Sequence, residues 1–205
     1  MTTLVDRLLG SWPGPAGVDV AEDLVRRYAE PHRHYHDQRH LGEVLAAVEQ
    51  LASHADDIRA VRLAAWFHDA VYDPRASDNE RRSAALARAV IPTVLGDRVA
   101  ELVETTVEHA PDPGDGDSAV LCDADLAVLA TSPTRYAEYA ADVRREYAHV
   151  PDDVFASVRS GVLAGFLDRE RLYTTATAQA RWERAARHNL EREISALGGD
   201  ATRLR

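Results

Sequence analysis

Residues Ile58 to Val71 constrain this chain more than any other stretch. They are apolar almost all round, and within them the run Val61 to Phe67, ending in Trp66 and Phe67, leads directly into the pair His68-Asp69. A helix that is apolar on every side is a central one. An imidazole and a carboxylate are costly to bury there unless something compensates them, and a bound metal ion is the usual compensation. In isolation a His-Asp dipeptide is also an ordinary polar pair at a helix end. What decides between the two is whether further ligand-type side chains point inward from other elements.

Helical periodicity runs through the rest of the chain. Thr3 to Leu9 gives a short amphipathic turn or two, and Ser11 to Gly17 is a loop rich in Pro and Gly. Val18 to Glu30 reads as a helix that Pro31 ends. Asp37 to Ser53 is a second, with Leu41, Val44, Leu45, Val48 and Leu51 on the 3.6-residue period. Ile58 to Val71 is the third. After a turn at Tyr72 to Asp78, Ser77 and Glu80 have capping-box spacing for a helix through Ile91. Arg98 to Ala110 is next, then a loop from Pro111 to Ser118, the best candidate for a mobile surface segment. Helices at Ala119 to Thr131, Pro133 to Ala148, Asp152 to Leu167 and Thr177 to Leu197 complete the chain. No stretch alternates as a strand should. The expectation is an all-α, compact single-domain bundle of about eight to ten helices.

Helix phase then picks out the inward polar residues. His40 lies four before Val44 and eight before Val48, so it points along the buried stripe. His36 lies one turn earlier, at the helix mouth. Asp125 shares a stripe with Leu121, Val128 and Leu129, while Asp123 is turned away; a phase error would exchange them. His40, His68, Asp69 and Asp125 thus come from three helices well separated in sequence. Adjacent His68 and Asp69 sit about 100° apart on a helix, so one ion reaches both only near the helix end. Two imidazoles and two carboxylates suit a divalent metal such as Mn, Fe, Co, Ni or Zn, with Mg also allowed.

Composition limits the partners. The 205 residues carry a formal net charge of −10, which argues against a broad grip on a nucleic-acid polymer. No apolar stretch is long enough to span a membrane, and the start of the chain does not read as a signal peptide. The single cysteine, Cys122, excludes an intrachain disulfide and reads as a small buried hydrophobe. A cytoplasmic protein is expected. Four of the nine histidines fall between His32 and His40, a concentration that composition alone does not explain.

The ordered set His, His-Asp, Asp resembles the signature of the HD-domain superfamily of metal-dependent phosphohydrolases. More narrowly, the segments Arg27 to His36, Trp66 to Pro74, Asp78-Asn79-Glu80 and Asp123 to Leu126 are similar to a bacterial family of predicted HD phosphohydrolases. The likeness covers about residues 20 to 190, with the signature in about 28–126 and the helices of 133–197 as part of the same domain. It implies metal ligation by His40, His68, Asp69 and Asp125. Tyr35-His36 followed by His40 is also similar to a motif of cyclic-nucleotide phosphodiesterases in the same superfamily. There the first histidine gives a proton to the leaving oxygen, which makes His36 a candidate general acid. Those enzymes have more histidines after the His-Asp pair. Here Asp73 and Glu80 occupy that region as candidate catalytic carboxylates, and His109 is a candidate further ligand.

The reaction implied is hydrolysis of a phosphate ester by metal-activated water. Asp69 or Asp125 would orient the water, and Arg33, Arg39 or Arg144 would help neutralise the phosphoryl oxygens. The substrate expected is a small phosphorylated molecule such as a nucleotide; oligomeric state stays open, a homodimer included. Bland readings stand beside these. His36 can be a hydrogen-bond partner, Glu80 a cap, Asp73 part of an Asp-Pro turn, and the arginines solvated surface. The alternative function is a sensor module that holds a nucleotide or metal without turnover.

Overall fold

The computed structural model describes residues 3–14, 17–91 and 93–198. Pro15 and Ala16, inside the expected loop from Ser11 to Gly17, lie outside them. The described residues form ten α-helices and no strand, so the chain is all-α. The helices are α1 (Leu4–Gly10), α2 (Val18–Arg27), α3 (Gln38–Leu51), α4 (Ile58–Phe67) and α5 (Asn79–Val90). They continue as α6 (Val94–Thr105), α7 (Gly116–Asp125), α8 (Pro133–Glu146), α9 (Asp152–Leu167) and α10 (Ala176–Ala196). Short 3₁₀ turns extend α3 at Ala52–His54 and α7 at Leu126–Ala130. None of these helices is long and apolar enough to cross a membrane.

Chain contacts divide into two units, one through Asp125 and one from Leu126 onward. The first is organised around α4, which packs against α3, α5, α6 and α7. Ala60, Val61, Leu63, Ala64, Ala65, Trp66 and Phe67 are all fully buried. Burying each of the larger ones contributes about 1.5–3 kcal/mol. Local chemistry starts the helices that matter. The Asp57 carboxylate accepts the Arg59 and Ala60 amides at the head of α4, and Asp37 accepts those of Arg39 and His40 at the head of α3.

In the second unit α10 lies on the 3₁₀ turn and on α8 and α9. The buried Asn189 amide donates to the carbonyls of Leu129 and Thr131 at 2.9 and 3.0 Å. Glu193 receives Arg159 and the Tyr136 hydroxyl. These contacts satisfy polar groups that the core would otherwise strand.

Several boundaries differ from the sequence expectation. Helix α4 stops at Phe67 rather than Val71, with His68 as its C-cap. Helix α6 starts four residues early and ends at Thr105, so His109 is no longer helical. The Ser77–Glu80 capping box does not form: Asp78 is the N-cap of α5, without a side-chain cap bond. The Pro111 to Ser118 segment is tied down at its end. Arg98 donates to Asp115 at 2.6 Å and to Asp117 at 3.0 Å. Asp117 is buried and accepts the Asp56 and Asp57 amides at 2.8 Å each. Proline, glycine and aspartate signalled a loop that the structure shortens, since α7 begins at Gly116 rather than Ala119, and nothing in that composition revealed its anchors.

Candidate metal centre

The early end of α4 is what brings His68 and Asp69 to a common point. The His68 amide still closes the last helical bond, to the Ala64 carbonyl, and Asp69 lies beyond it. On the facing helix, His40 occupies the third position of α3, where the Asp37 cap fixes the backbone. Asp125 is the last residue of α7.

His40 Nε2 lies 3.0 Å from His68 Nε2, 3.4 Å from Asp69 Oδ2 and 3.2 Å from Asp125 Oδ1. His68 Nε2 lies 3.1 Å from Asp69 Oδ2 and 3.6 Å from Asp125 Oδ1. An imidazole nitrogen has one proton or one lone pair, so it can satisfy one such neighbour, not three. Donor atoms about 2.1 Å from a shared ion, by contrast, sit about 3.0 Å apart at right angles and about 3.4 Å apart at tetrahedral angles. Four of the five separations fall in that range, and the fifth, His68 Nε2 to Asp125 Oδ1 at 3.6 Å, lies just above it. His40, His68 and Asp125 form a buried group that could hold a metal ion, and Asp69 stands against both of its imidazoles.

Neighbouring groups orient the set. The His68 Nδ1 edge faces the Ala65 carbonyl at 2.8 Å; an N–H donated there leaves the Nε2 lone pair pointing inward. Tyr28, from the turn after α2, places its hydroxyl 3.5 Å from the same Nδ1 and accepts the Asp69 amide at 3.3 Å. Burial pushes the Tyr28 phenol up to about 12, so it acts as a neutral hydrogen-bonding group. His109 holds Asp125 Oδ2 at 2.7 Å, leaving Oδ1 for the histidines. It does so from a left-handed backbone, φ 46°, a conformation uncommon outside glycine though histidine adopts it more readily than most side chains.

Without a metal the four groups behave as ion pairs. Burial opposes the charged form of each. Bonds from His40 to Asp125 and Asp69 outweigh it and raise the His40 pKa. The Asp69 and Asp125 charges likewise hold His68 well above its ordinary value. Burial would raise Asp69, but the charges of His68 and His36 hold it well below the usual carboxylate range. His68 and the His109 bond do the same for Asp125.

The remaining candidates divide. His36 sits beside the group: its ring stacks on Tyr72 at 4.2 Å and lies 5.6 Å from the His40 ring. Asp123 is buried, not solvent-facing as "turned away" suggested, because α7 is covered nearly all round; Asp125 is the one aimed at the histidines. Asp73 is exposed, and its carboxylate accepts the Arg75 amide within its own turn. Glu80 sits at the second position of α5, half-buried and outside the metal-binding group.

The three arginines have other partners. Arg33 is buried, with its guanidinium spent on Glu30 and on backbone carbonyls. Arg39 pairs with Glu43 along α3 and lines a 490 Å³ groove with Leu4 and Leu8 of α1. Arg144, in the second unit, serves the connection between α8 and α9 through Asp152 and the Tyr147 and Val150 carbonyls. Sequence reasoning missed Tyr28 and Tyr72 as supports. The signal for them was weak: aromatic residues flanking histidine-rich turns.

Comparison with known proteins leaves the argument on this geometry, since no family model, no curated protein and no solved structure matches the chain.

Proposed function

We propose that the protein is a metal-dependent phosphohydrolase of the HD type, acting on a small phosphate ester such as a nucleotide. The observation that supports it is the meeting of the His40 and His68 imidazoles, 3.0 Å apart, with a carboxylate oxygen of Asp69 and one of Asp125 within 3.1–3.6 Å of both. These side chains would hold the ion, and the mixture of nitrogen and oxygen donors favours Mn, Fe, Co, Ni or Zn over Mg. A divalent ion supplies Lewis acidity toward a phosphoryl oxygen and lowers the pKa of a water toward neutrality.

The side chains do the rest. Asp125 has one oxygen committed to His109, so Asp69, outside any helix, is the carboxylate that orients the attacking water. His36 stands beside the four, its ring fixed on Tyr72, and protonates the leaving oxygen. The hydrophobic surroundings of α3 and α4 keep bulk water from screening these charges.

Phosphate release is the test. Purified protein is assayed on nucleotides and simple phosphoesters with Mn, Co and Ni, alongside His68→Ala and Asp69→Ala. Metal-dependent turnover is expected, falling by at least about 100-fold in each variant, since loss of a direct ligand exceeds the 10–100-fold cost of losing its supports. No metal-dependent release from any of these compounds would replace the enzyme by a non-catalytic binding module.

A further inference from the structure

Arg33 is a charge placed where solvent does not reach it; its side chain has 0% exposure. Burying a guanidinium costs several kcal/mol unless its donors are met. They are met in an informative way. Nε donates to Glu30 at 3.1 Å. Nη1 donates to the His36 carbonyl at 3.1 Å and to the Asp69 carbonyl at 2.7 Å, and Nη2 donates to the Ala70 carbonyl at 3.3 Å. The first of these carbonyls belongs to the turn that leads into α3 and His40. The other two belong to the turn that carries His68 and Asp69 out of α4.

The faces of the guanidinium repeat the pattern. It lies 5.1 Å from the Tyr28 ring centre and 5.5 Å from that of Tyr72. Tyr28 in turn holds the Asp69 amide, and Tyr72 carries the stacked His36 ring. Apart from Glu30, each group that Arg33 touches lies on one of these two turns or is a ring that contacts His36 or the Asp69 amide.

We propose that Arg33 is a positioning residue, a clamp that sets the spacing of the two ligand-bearing turns and the tilt of His36, rather than a phosphate-binding cation. The proposal rests on the metal-centre reading given above. A lysine cannot replace it: an ammonium is a single point on a flexible stem, whereas the planar fork reaches carbonyls on two segments while both faces meet rings. An arginine that merely stabilised the fold would have no such bias. Arg98 is the comparison, a guanidinium in the same unit whose partners Asp115 and Asp117 lie outside both turns.

The test compares Arg33→Lys with Arg98→Lys in the full chain. Two readouts are the imidazole signals of metal-free protein by NMR and the affinity and visible spectrum of added Co²⁺. Arg33→Lys is expected to move the His36, His40 and His68 ring signals, to weaken Co²⁺ by about tenfold or more and to change its spectrum. Arg98→Lys lowers the melting temperature yet keeps the ring signals, with Co²⁺ affinity within about twofold, as expected of a lesion remote from the ligands. Glu30→Gln, which loosens only the Nε contact, moves the same signals less and serves if Arg33→Lys does not fold. Unchanged signals and spectrum in the Arg33 or Glu30 variants, or equal changes in Arg98→Lys, overturn the clamp. A wild-type protein that takes up no Co²⁺ sinks the metal reading instead, and the metal-free ring signals still decide the clamp.

Discussion

Asp125 uses its two oxygens for different purposes, and the difference can be measured. Oδ1 faces His40 and His68, and Oδ2 is held by His109. Asp125→Asn removes a ligand charge and should lower Co²⁺ affinity by at least about 100-fold; His109→Gln removes only a support and should cost about 10–100-fold. Asp123→Asn should keep the stoichiometry of the wild type. Isothermal titration reads all three, and an Asp123 variant that loses the ion while Asp125→Asn keeps it would reverse the assignment. The pH dependence has a definite sign. His40 and His68 have raised pKa values in the metal-free protein, so an ion must displace their protons and binds more tightly as pH rises. The metal-free fold runs the other way. Stability from those imidazoles is complete below about pH 6.5 and fades as pH climbs through the raised values. Stability from Asp69 and Asp125, whose values are lowered, is complete above about pH 3.9 and fades as pH falls. The melting-temperature gap between Co²⁺-loaded and chelator-treated protein should therefore widen from about pH 6 to about pH 8. A gap that narrows would mean the imidazoles do not give up protons to the ion.

At the scale of elements, periodicity located the helices and missed their ends. Leu41, Val44 and Val48 placed α3 and with it His40, because a buried stripe fixes the phase of everything on that helix. His68 and Asp69 were legible as a pair, but not the stop at Phe67 that lets both turn to one point. That stop depends on tertiary partners, Arg33 and Tyr28, which hold the backbone after the helix. Arg33 was misjudged for the same reason: the sequence shows a cation beside histidines, not the carbonyls that consume it. His109 lay on an expected helix and works from a turn instead. Two substitutions test the scaffold by denaturant unfolding. Leu63→Ala, in the centre of α4, should cost about 2–5 kcal/mol, since a fully buried leucine leaves a cavity. Asp117→Ala strands the Asp56 and Asp57 amides at the start of α4 and takes one of two carboxylate bonds from Arg98, which keeps Asp115, and should cost about 1–3 kcal/mol. A loss of only a few tenths would show that the tie from Asp117 to α4 is incidental.

Over the whole molecule, charge and centre pull in opposite directions. A chain of net charge −10 repels phosphates at long range. Within the proposed centre, two carboxylates and a divalent ion would sum to zero, so an anionic group would meet no net repulsion at close quarters. A metal bound only to the folded state also stabilises it by mass action, by about 2.7 kcal/mol at a free concentration 100 times the dissociation constant. The most direct measurement is anomalous diffraction from crystals grown with Mn²⁺ or Co²⁺, combined with metal analysis of the same protein. The expected result is one peak within about 2.0–2.3 Å of His40 Nε2, His68 Nε2 and an oxygen of each of Asp69 and Asp125. No peak there, with the two Nε2 atoms still 3.0 Å apart and sharing a proton, would contradict it.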